Sequence, residues 1–106
     1  MPQFDVHRNL GRSRSRYPFL IVVQSSLLNR WERRVVVPVS PVDPQGLVLD
    51  PLLNPVLPID GLHCVVVAQE IGNVPVDALG EVIANLREEA ETIIGAIDWA
   101  LSQGFG

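Results

Sequence analysis

The sequence has one cysteine, no lysine and no long apolar run, and these shortages exclude several classes of protein. Because Cys64 has no second cysteine to pair with, an internal disulfide and a cysteine-built zinc site are both excluded. A membrane helix needs about 20 consecutive apolar residues, and no stretch reaches that length. The first residues also lack the basic-then-apolar order of a signal peptide. We therefore expect a cytoplasmic protein that does not contact a membrane.

Catalytic and metal-binding motifs are also missing from the sequence. The chain has no glycine-rich phosphate loop, no G-x-S-x-G, no H-E-x-x-H and no metal-ligand spacing. His7 and His63 lie on separate apparent strands, and we expect ordinary structural roles for both. The sequence therefore favours a protein that binds partners and is not an enzyme, with no cofactor and no metal.

The composition describes a small folded domain whose charges are unevenly distributed. At 106 residues, 47% hydrophobic and 19% charged, the chain is predicted to form one domain over residues 1–106. Its net charge of −4 does not indicate a nucleic-acid binder, so we expect no direct nucleic-acid binding. All eight basic residues are arginines, whereas acidic residues dominate from Glu81 onward. One N-terminal stretch holds four of the arginines: Arg8, Arg12, Arg14 and Arg16.

The first two thirds of the chain predict short strands joined by turns. Phe4 and Val6 alternate with polar neighbours, which is the period expected of a half-buried strand. Residues 17–24 and 34–39 are rich in β-branched side chains and are predicted to be strands as well. Proline donates no hydrogen bond to a ladder, so Pro38 should lie at a strand start, an edge or a bulge.

Two signals organise the middle of the chain. The many prolines between residues 40 and 58 leave little room for a helix and predict an irregular, partly extended segment. The Asp60-Gly61 pair, which lies between two apolar runs, predicts a two-residue hairpin because both central positions of that turn need positive φ. Residues 71–80 then close the β part of the chain.

After a short strand, the C-terminal segment changes to the period of a helix. Apolar residues recur at spacings of three and four and predict an amphipathic helix over about residues 86–101. The predicted apolar stripe consists of Leu86, Ala90, Ile93, Ile94, Ile97 and Leu101. Asn85 followed by Glu88 is a candidate N-cap with its capping-box partner. Trp99 lies off the apolar stripe, so we expect it to face outward or into a partner, with folding back over the sheet as the alternative. Together the elements predict a mainly antiparallel sheet, folded into a partly open barrel and packed against a C-terminal α-helix.

The segment S-S-L-L-N-R-W places three large apolar side chains in a predicted loop. Exposed apolar side chains that cluster are typical of protein contact surfaces. Leu27, Leu28 and Trp31 therefore either form a contact patch or turn inward and cap the barrel.

Residues 22–41, V-V-Q-S-S-L-L-N-R-W-E-R-R-V-V-V-P-V-S-P, resemble the signature of the CcdB toxins. In that signature a strand ends in V-Q-S, two bulky aliphatic residues follow, and R-R precedes a strand of the V-V-I-P type. Phe4, the Y-P-F triplet at 17–19, the N-V-P-V tetrapeptide at 73–76 and A-I-D at 96–98 recur in matching order. The resemblance covers most of the chain.

The resemblance implies the fold and the activity of that family. It implies an SH3-like, CcdB-like barrel with a five-stranded main sheet, a small second sheet and a terminal helix, assembled as a homodimer. Family members bind the A subunit of DNA gyrase and trap it with cleaved DNA. A cognate CcdA-like antitoxin, whose C-terminal part is disordered when free, wraps the toxin and removes it from gyrase.

The resemblance also assigns site residues. The tail W-A-L-S-Q-G-F-G runs longer than the family pattern and lacks its terminal isoleucine, so its end supplies the counterpart of the usual tail. The gyrase contacts map to Leu27, Leu28, Asp98, Trp99, Gln103, Gly104 and Phe105. We assign antitoxin binding to the arginines 8, 12, 14 and 16, because they would attract an acidic disordered segment.

Two alternatives stay open beside a gyrase-directed toxin. One is a homologue that has lost toxicity and survives by binding the antitoxin. The other is a messenger-RNA-cleaving toxin of the same layout, which would use Arg12, Arg14, Asp5 and His7 for general acid–base chemistry.

Overall fold

The computed structural model describes residues 1–41 and 50–102 of the chain. Residues 42–49 of the proline-rich segment and the last four residues therefore lie outside the described residues. Within the described ranges, no helix is both long and apolar enough to cross a membrane. The elements are β1 (Asp5–Asn9), β2 (Phe19–Val22), β3 (Arg33–Pro41), β4 (Val56–Ile59), β5 (Leu62–Val66), β6 (Gly72–Pro75), β7 (Leu79–Asn85) and α1 (Ala90–Ser102).

Strand β3 joins the strands into one antiparallel sheet with the order β4-β5-β3-β2-β1-β7. Its first half, residues 33–36, pairs with β6, and its last part, residues 39–41, pairs with β5. The predicted fold class is confirmed: the chain is mainly antiparallel β with a C-terminal helix, and its curled sheet is an open half-barrel. The predicted small second sheet is continuous with the main sheet through β3.

Pro38 lies inside β3, not at the predicted strand start, edge or bulge. Leu20 of β2 pairs with it on one side. On the other side it falls in the gap between the Val36–Gly72 pair and the Val39–Val66 pair, where β3 changes partner. A strand interior tolerates proline there because no ladder bond is needed from its nitrogen.

The centre of the sheet is buried on both faces at β2. Phe19 and Ile21 belong to the larger core cluster, which also contains the buried residues of α1. Leu20 and Val22 belong to a smaller cluster on the opposite face. All four residues of β2 are therefore buried, which explains why the F-L-I-V run shows no polar alternation.

Helix α1 begins at Ala90, later than predicted, because a 3-10 turn over Arg87–Glu89 lies between β7 and the helix. The Asn85 side chain accepts a hydrogen bond from the Arg87 backbone N–H at 2.9 Å, but the residue at the N-cap of this turn is Leu86. The reciprocal bond predicted from Glu88 is not among the hydrogen bonds of the described residues.

The buried stripe of α1 is centred differently from the predicted one. Ile94 and Leu101 are exposed, although the sequence pattern included both in the apolar stripe. The prediction that Trp99 faces outward is wrong: it is half-buried and packs against the larger core cluster, since it lies one turn beyond a core residue. The helix residues buried in the core are Ile93, Ala96 and Ile97.

The predicted hairpin at Asp60-Gly61 is confirmed. The two residues join β4 to β5 with φ values of 50° and 80°. Positive φ at both positions is the geometry of the turn whose twist matches that of the flanking strands.

Replacing Gly61 with alanine is expected to lower the free energy of unfolding by about 1–2 kcal/mol, the cost of a left-handed residue with a Cβ. No atom lies within 4 Å of a Cβ built there, so backbone strain is the whole effect. Gly95→Ala is the matched control, because Gly95 lies in α1 with equally open space. It is expected to stabilise the protein by about 1 kcal/mol. Urea denaturation of both variants checks the opposite signs, and a destabilising effect of equal size in both would contradict the assignment.

Candidate protein-binding surface

A short loop between β2 and β3 presents large apolar side chains to solvent. The Ser25 hydroxyl accepts a hydrogen bond from the Leu27 N–H at 3.2 Å and so caps a 3-10 turn over Ser26–Leu28. Leu27 is 89% exposed, Leu28 46% and Trp31 68%. The inward alternative is therefore excluded. We name Leu27, Leu28, Arg30 and Trp31 the loop surface.

The side chains of Gln24 and Arg34 hold this loop through hydrogen bonds to its backbone. Gln24 donates to the carbonyl oxygens of Leu28 and Arg33, at 3.2 and 3.4 Å, and its own carbonyl accepts from the Val35 N–H at 3.2 Å. Arg34 is buried and donates to the carbonyl oxygens of residues at the end of the loop. The exposed side chains are thus carried on a backbone that Gln24 and Arg34 hold through four carbonyls, those of residues 28, 29, 31 and 33.

The loop surface borders an open cleft of about 560 Å³. Leu28 and Trp31 contribute its apolar lining, and Arg30, Glu32 and Arg33 place charges at its edge. Arg33 is fixed there, because its guanidinium donates to the Asn73 side chain and, at 3.0 Å, to the Asn73 carbonyl. Exposed aromatic and aliphatic anchors beside arginine are the composition favoured at protein interfaces.

A second exposed feature is the loop from residue 10 to residue 18, which we name the arginine loop. The buried Asn9 side chain organises it, since its amide donates to Ser13 Oγ at 3.0 Å and to the Tyr17 carbonyl at 2.8 Å. Its Oδ1 accepts from the Gly11 N–H at 2.8 Å. The sequence analysis missed Asn9, although asparagine before a glycine-containing turn is a known signal for such bonding.

The arginine side chains assigned to antitoxin binding are all exposed, but they are not equivalent. Arg8, on β1, forms a salt bridge with Glu81 of β7 at 2.7 Å. Arg16 stacks on the Tyr17 ring with 5.4 Å between the guanidinium carbon and the ring centroid. Arg12 and Arg14 lie on the arginine loop itself and leave the surface there strongly positive.

The structure does not assemble the residues considered for acid–base chemistry on RNA. Asp5 and His7 are 7% and 3% exposed on β1, whereas Arg12 and Arg14 are exposed on the arginine loop. Asp5 accepts from the side-chain amide of Asn85 at 2.8 Å. His7 Nδ1 lies 2.9 Å from the Gly80 carbonyl oxygen, and this contact requires a proton on Nδ1. Both ionisable groups thus have structural partners inside the fold.

The predicted gyrase contacts at the helix end are only partly described. Asp98 is exposed on α1 and borders a shallow cleft with Ile94 and Gly95. Trp99 borders another cleft on the same helix together with Leu52. Gln103, Gly104 and Phe105 lie outside the described residues. No hydrogen bond in the described part of the chain joins the loop surface to α1.

Cys64 is expected to be inert to thiol reagents in the folded protein. Its side chain is fully buried, and burial raises the pKa of the thiol above its ordinary value, so little thiolate forms at pH 8. Reaction with an aromatic disulfide reagent should be on the order of 100-fold slower than in urea-unfolded protein, since it requires local opening. Equal rates in the two states would show that the thiol is accessible.

The comparison with protein families gives one match that spans nearly the whole chain. Residues 3–104 match the family model described as "CcdB protein". No curated protein matches the sequence.

Several solved structures share the fold. An endoribonuclease from mycobacterial species superposes with a TM-score of 0.72 at 20% identity, over 95% of this chain and 90% of that one. An endoribonuclease in complex with its cognate antitoxin, also mycobacterial, gives 0.74 at 22% identity, over 95% and 94%. The Mycobacterium tuberculosis toxin MazF-mt6 gives 0.72 at 16% identity, over 91% and 94%. At these identities the likeness shows a shared fold.

These structures correct one prediction from the sequence. The missing motifs led to the prediction that the chain is not an enzyme, and that prediction is wrong as an inference from the sequence, because proteins that share this fold are named endoribonucleases. Motif absence excludes only the chemistries that those motifs serve, and RNA cleavage is not among them. Catalysis on RNA therefore enters as a candidate activity.

Proposed function

We propose that this chain, which belongs to the CcdB protein family, is the toxin of a toxin–antitoxin module. We further propose that its loop surface docks on the GyrA-type, DNA-cleaving half of DNA gyrase. The observation that carries the proposal is the loop surface itself. Leu27 and Trp31 are more than two-thirds exposed on a backbone braced by internal hydrogen bonds. Rigid, exposed apolar anchors are the features that dominate binding energy at protein interfaces.

The proposal includes a cognate antitoxin that neutralises the toxin. One structural relative is an endoribonuclease solved with its cognate antitoxin, which supports an antitoxin-binding role for this fold. The positive surface of Arg12 and Arg14 supports an acidic, disordered antitoxin segment as the partner. A homodimer, as the family resemblance implies, completes the proposal, because two copies would present two loop surfaces to a two-fold symmetric target.

RNA cleavage is the second candidate function. The names of the structural relatives support it more directly than they support gyrase, which none of them mentions. Four arginines around the arginine loop also form a surface suited to phosphate binding, even though the net charge of the chain is −4. The exposed carboxylate of Glu81 lies 2.7 Å from Arg8 Nε and is a candidate acid–base group beside that surface.

One experiment with two substrates tests both candidates. Purified protein is incubated with gyrase, ATP and plasmid DNA and scored for trapped linear DNA, and it is incubated separately with structured and unstructured RNA. The proposal expects linear DNA in proportion to added protein. The double variant Arg12→Glu, Arg14→Glu accompanies both assays, because it should reduce RNA cleavage and leave gyrase trapping unchanged.

Each outcome selects one function. Linear DNA with intact RNA supports the gyrase-directed toxin. Cleaved RNA with no trapped DNA replaces it with the endoribonuclease, especially where the double arginine variant is inactive. If neither substrate changes, although the antitoxin still binds, the protein is a non-toxic antitoxin-binding homologue.

A further inference from the structure

We propose that Arg34 is a positioning residue, whose buried guanidinium holds the loop surface in the geometry that binds a partner. The expected effect on partner binding rests on the proposed function. The hydrogen bonds by which Arg34 holds the loop are a property of the free protein and do not depend on that function. Arg34 is 5% exposed and lies at the start of β3, directly after the loop.

The contacts of the guanidinium all lead to the loop and its exit. Nη2 donates to the Asn29 carbonyl at 2.9 Å, and Nη1 donates to the Arg33 carbonyl at 2.9 Å and to the Trp31 carbonyl. Arginine presents five donors in one rigid plane, so a single side chain fixes these three carbonyls relative to one another. The backbone on both sides of Trp31 is thereby held.

The charge of Arg34 argues against a role confined to the stability of the core. The single ion pair among the described residues joins Arg8 to Glu81, so Arg34 is buried without a described carboxylate partner. Its Nε also has no hydrogen-bond partner among the described residues. Burying a cation in this way is costly, and an apolar residue of similar size is often neutral or stabilising at such a site. The next residue on the same face of β3 is Val36, which is buried and apolar.

A second side chain, that of Gln24, holds the same loop. Gln24 reaches the Leu28 and Arg33 carbonyls from the end of β2, while Arg34 reaches the Arg33 carbonyl and the loop from the start of β3. Binding through a flexible loop loses affinity because its backbone and side chains must be ordered on association. A loop that is already fixed avoids that cost, and exposed anchors such as Leu27 then contribute their full binding energy.

The test measures loop order and binding in the same variants. Arg34→Met removes the donors at similar length, Arg34→Lys keeps the charge and loses the planar fork, and Arg87→Met is the matched control at an exposed arginine outside the loop. Arg34→Lys also decides the question if Arg34→Met does not fold, and Gln24→Ala measures the second brace separately. Amide hydrogen exchange of residues 26–33 is measured by NMR in the free protein, and affinity is measured against purified gyrase.

We expect the loop amides of Arg34→Met to exchange at least tenfold faster than those of the wild type, with intermediate values for Arg34→Lys and no change for Arg87→Met. Gyrase affinity should fall about tenfold in Arg34→Met, or about 1.4 kcal/mol. Unchanged loop exchange in folded Arg34→Met, or in Arg34→Lys where Arg34→Met does not fold, would overturn the inference, whatever the binding result. Failure of the wild type to bind gyrase would instead overturn the proposed function, and the exchange data would still decide whether Arg34 braces the loop.

Discussion

Replacing Leu27 with glutamate is expected to abolish growth inhibition while leaving the protein folded. Leu27 is 89% exposed and belongs to none of the core clusters, so the free energy of unfolding should change by less than about 0.5 kcal/mol. At the centre of an interface, a buried unpaired carboxylate costs binding energy of at least about 2 kcal/mol, or roughly 30-fold in affinity. Inducible expression in a sensitive host measures toxicity, and urea denaturation measures stability.

Leu62→Glu is the matched control for this substitution. Leu62 is 47% exposed on β5, away from the loop surface, and the change in charge and volume is the same. It should leave growth inhibition at the wild-type level. Full toxicity of Leu27→Glu, with folded protein at equal abundance, would show that the loop surface does not contact the target. Equal loss of toxicity in both variants would point to a general effect of added charge.

Local signals in the sequence predicted much of the β fold. The Asp60-Gly61 hairpin was predicted because the turn chemistry lies entirely within the two residues that form it. The strand before the helix was also predicted, and β7 ends at Asn85, the predicted N-cap. The helix itself begins four residues later than predicted, because Arg87–Glu89 form a 3-10 turn before α1 starts at Ala90. Periodicity does not distinguish such a turn from the first turn of an α-helix.

The candidate site was predicted by residue but not by orientation. The sequence placed Leu27, Leu28 and Trp31 in one loop, and two directions were open to them. The side chains point outward because Ser25 caps the turn and Gln24 and Arg34 hold its carbonyl oxygens. These hydrogen bonds lie in a loop, where the sequence has no periodic pattern from which to predict them. The strand pattern does contain one usable signal, since a period of two puts Arg34 on the same face as the buried Val36.

The position of Trp99 illustrates how a helical stripe is misjudged. The predicted stripe included Ile94 and Leu101, and on that assignment Trp99 falls outside it. The helix packs through Ile93 and Ala96, so the buried face is rotated towards Trp99. A hydrophobic pattern with aliphatic residues on adjacent positions does not fix the centre of the buried face, because packing against the sheet selects it.

Ile93→Ala is expected to be the most destabilising single substitution that we predict. Ile93 is fully buried in the larger core cluster and anchors α1 to the sheet. Removing its side chain deletes apolar contacts and leaves a cavity, at a cost of about 2–5 kcal/mol. Since a domain of this kind has a total stability of about 5–15 kcal/mol, the melting temperature should fall markedly.

The adjacent residue provides the control that isolates burial from helix propensity. Ile94→Ala makes the same change one position along α1, where the side chain is 39% exposed. Alanine is the better helix former, by less than about 0.7 kcal/mol, and this gain partly offsets the smaller loss of burial. We therefore expect a net change below about 1 kcal/mol for Ile94→Ala. Urea denaturation of the two variants compares them directly, and similar losses would mean that α1 packs on the sheet through a different face, with Ile94 as buried as Ile93.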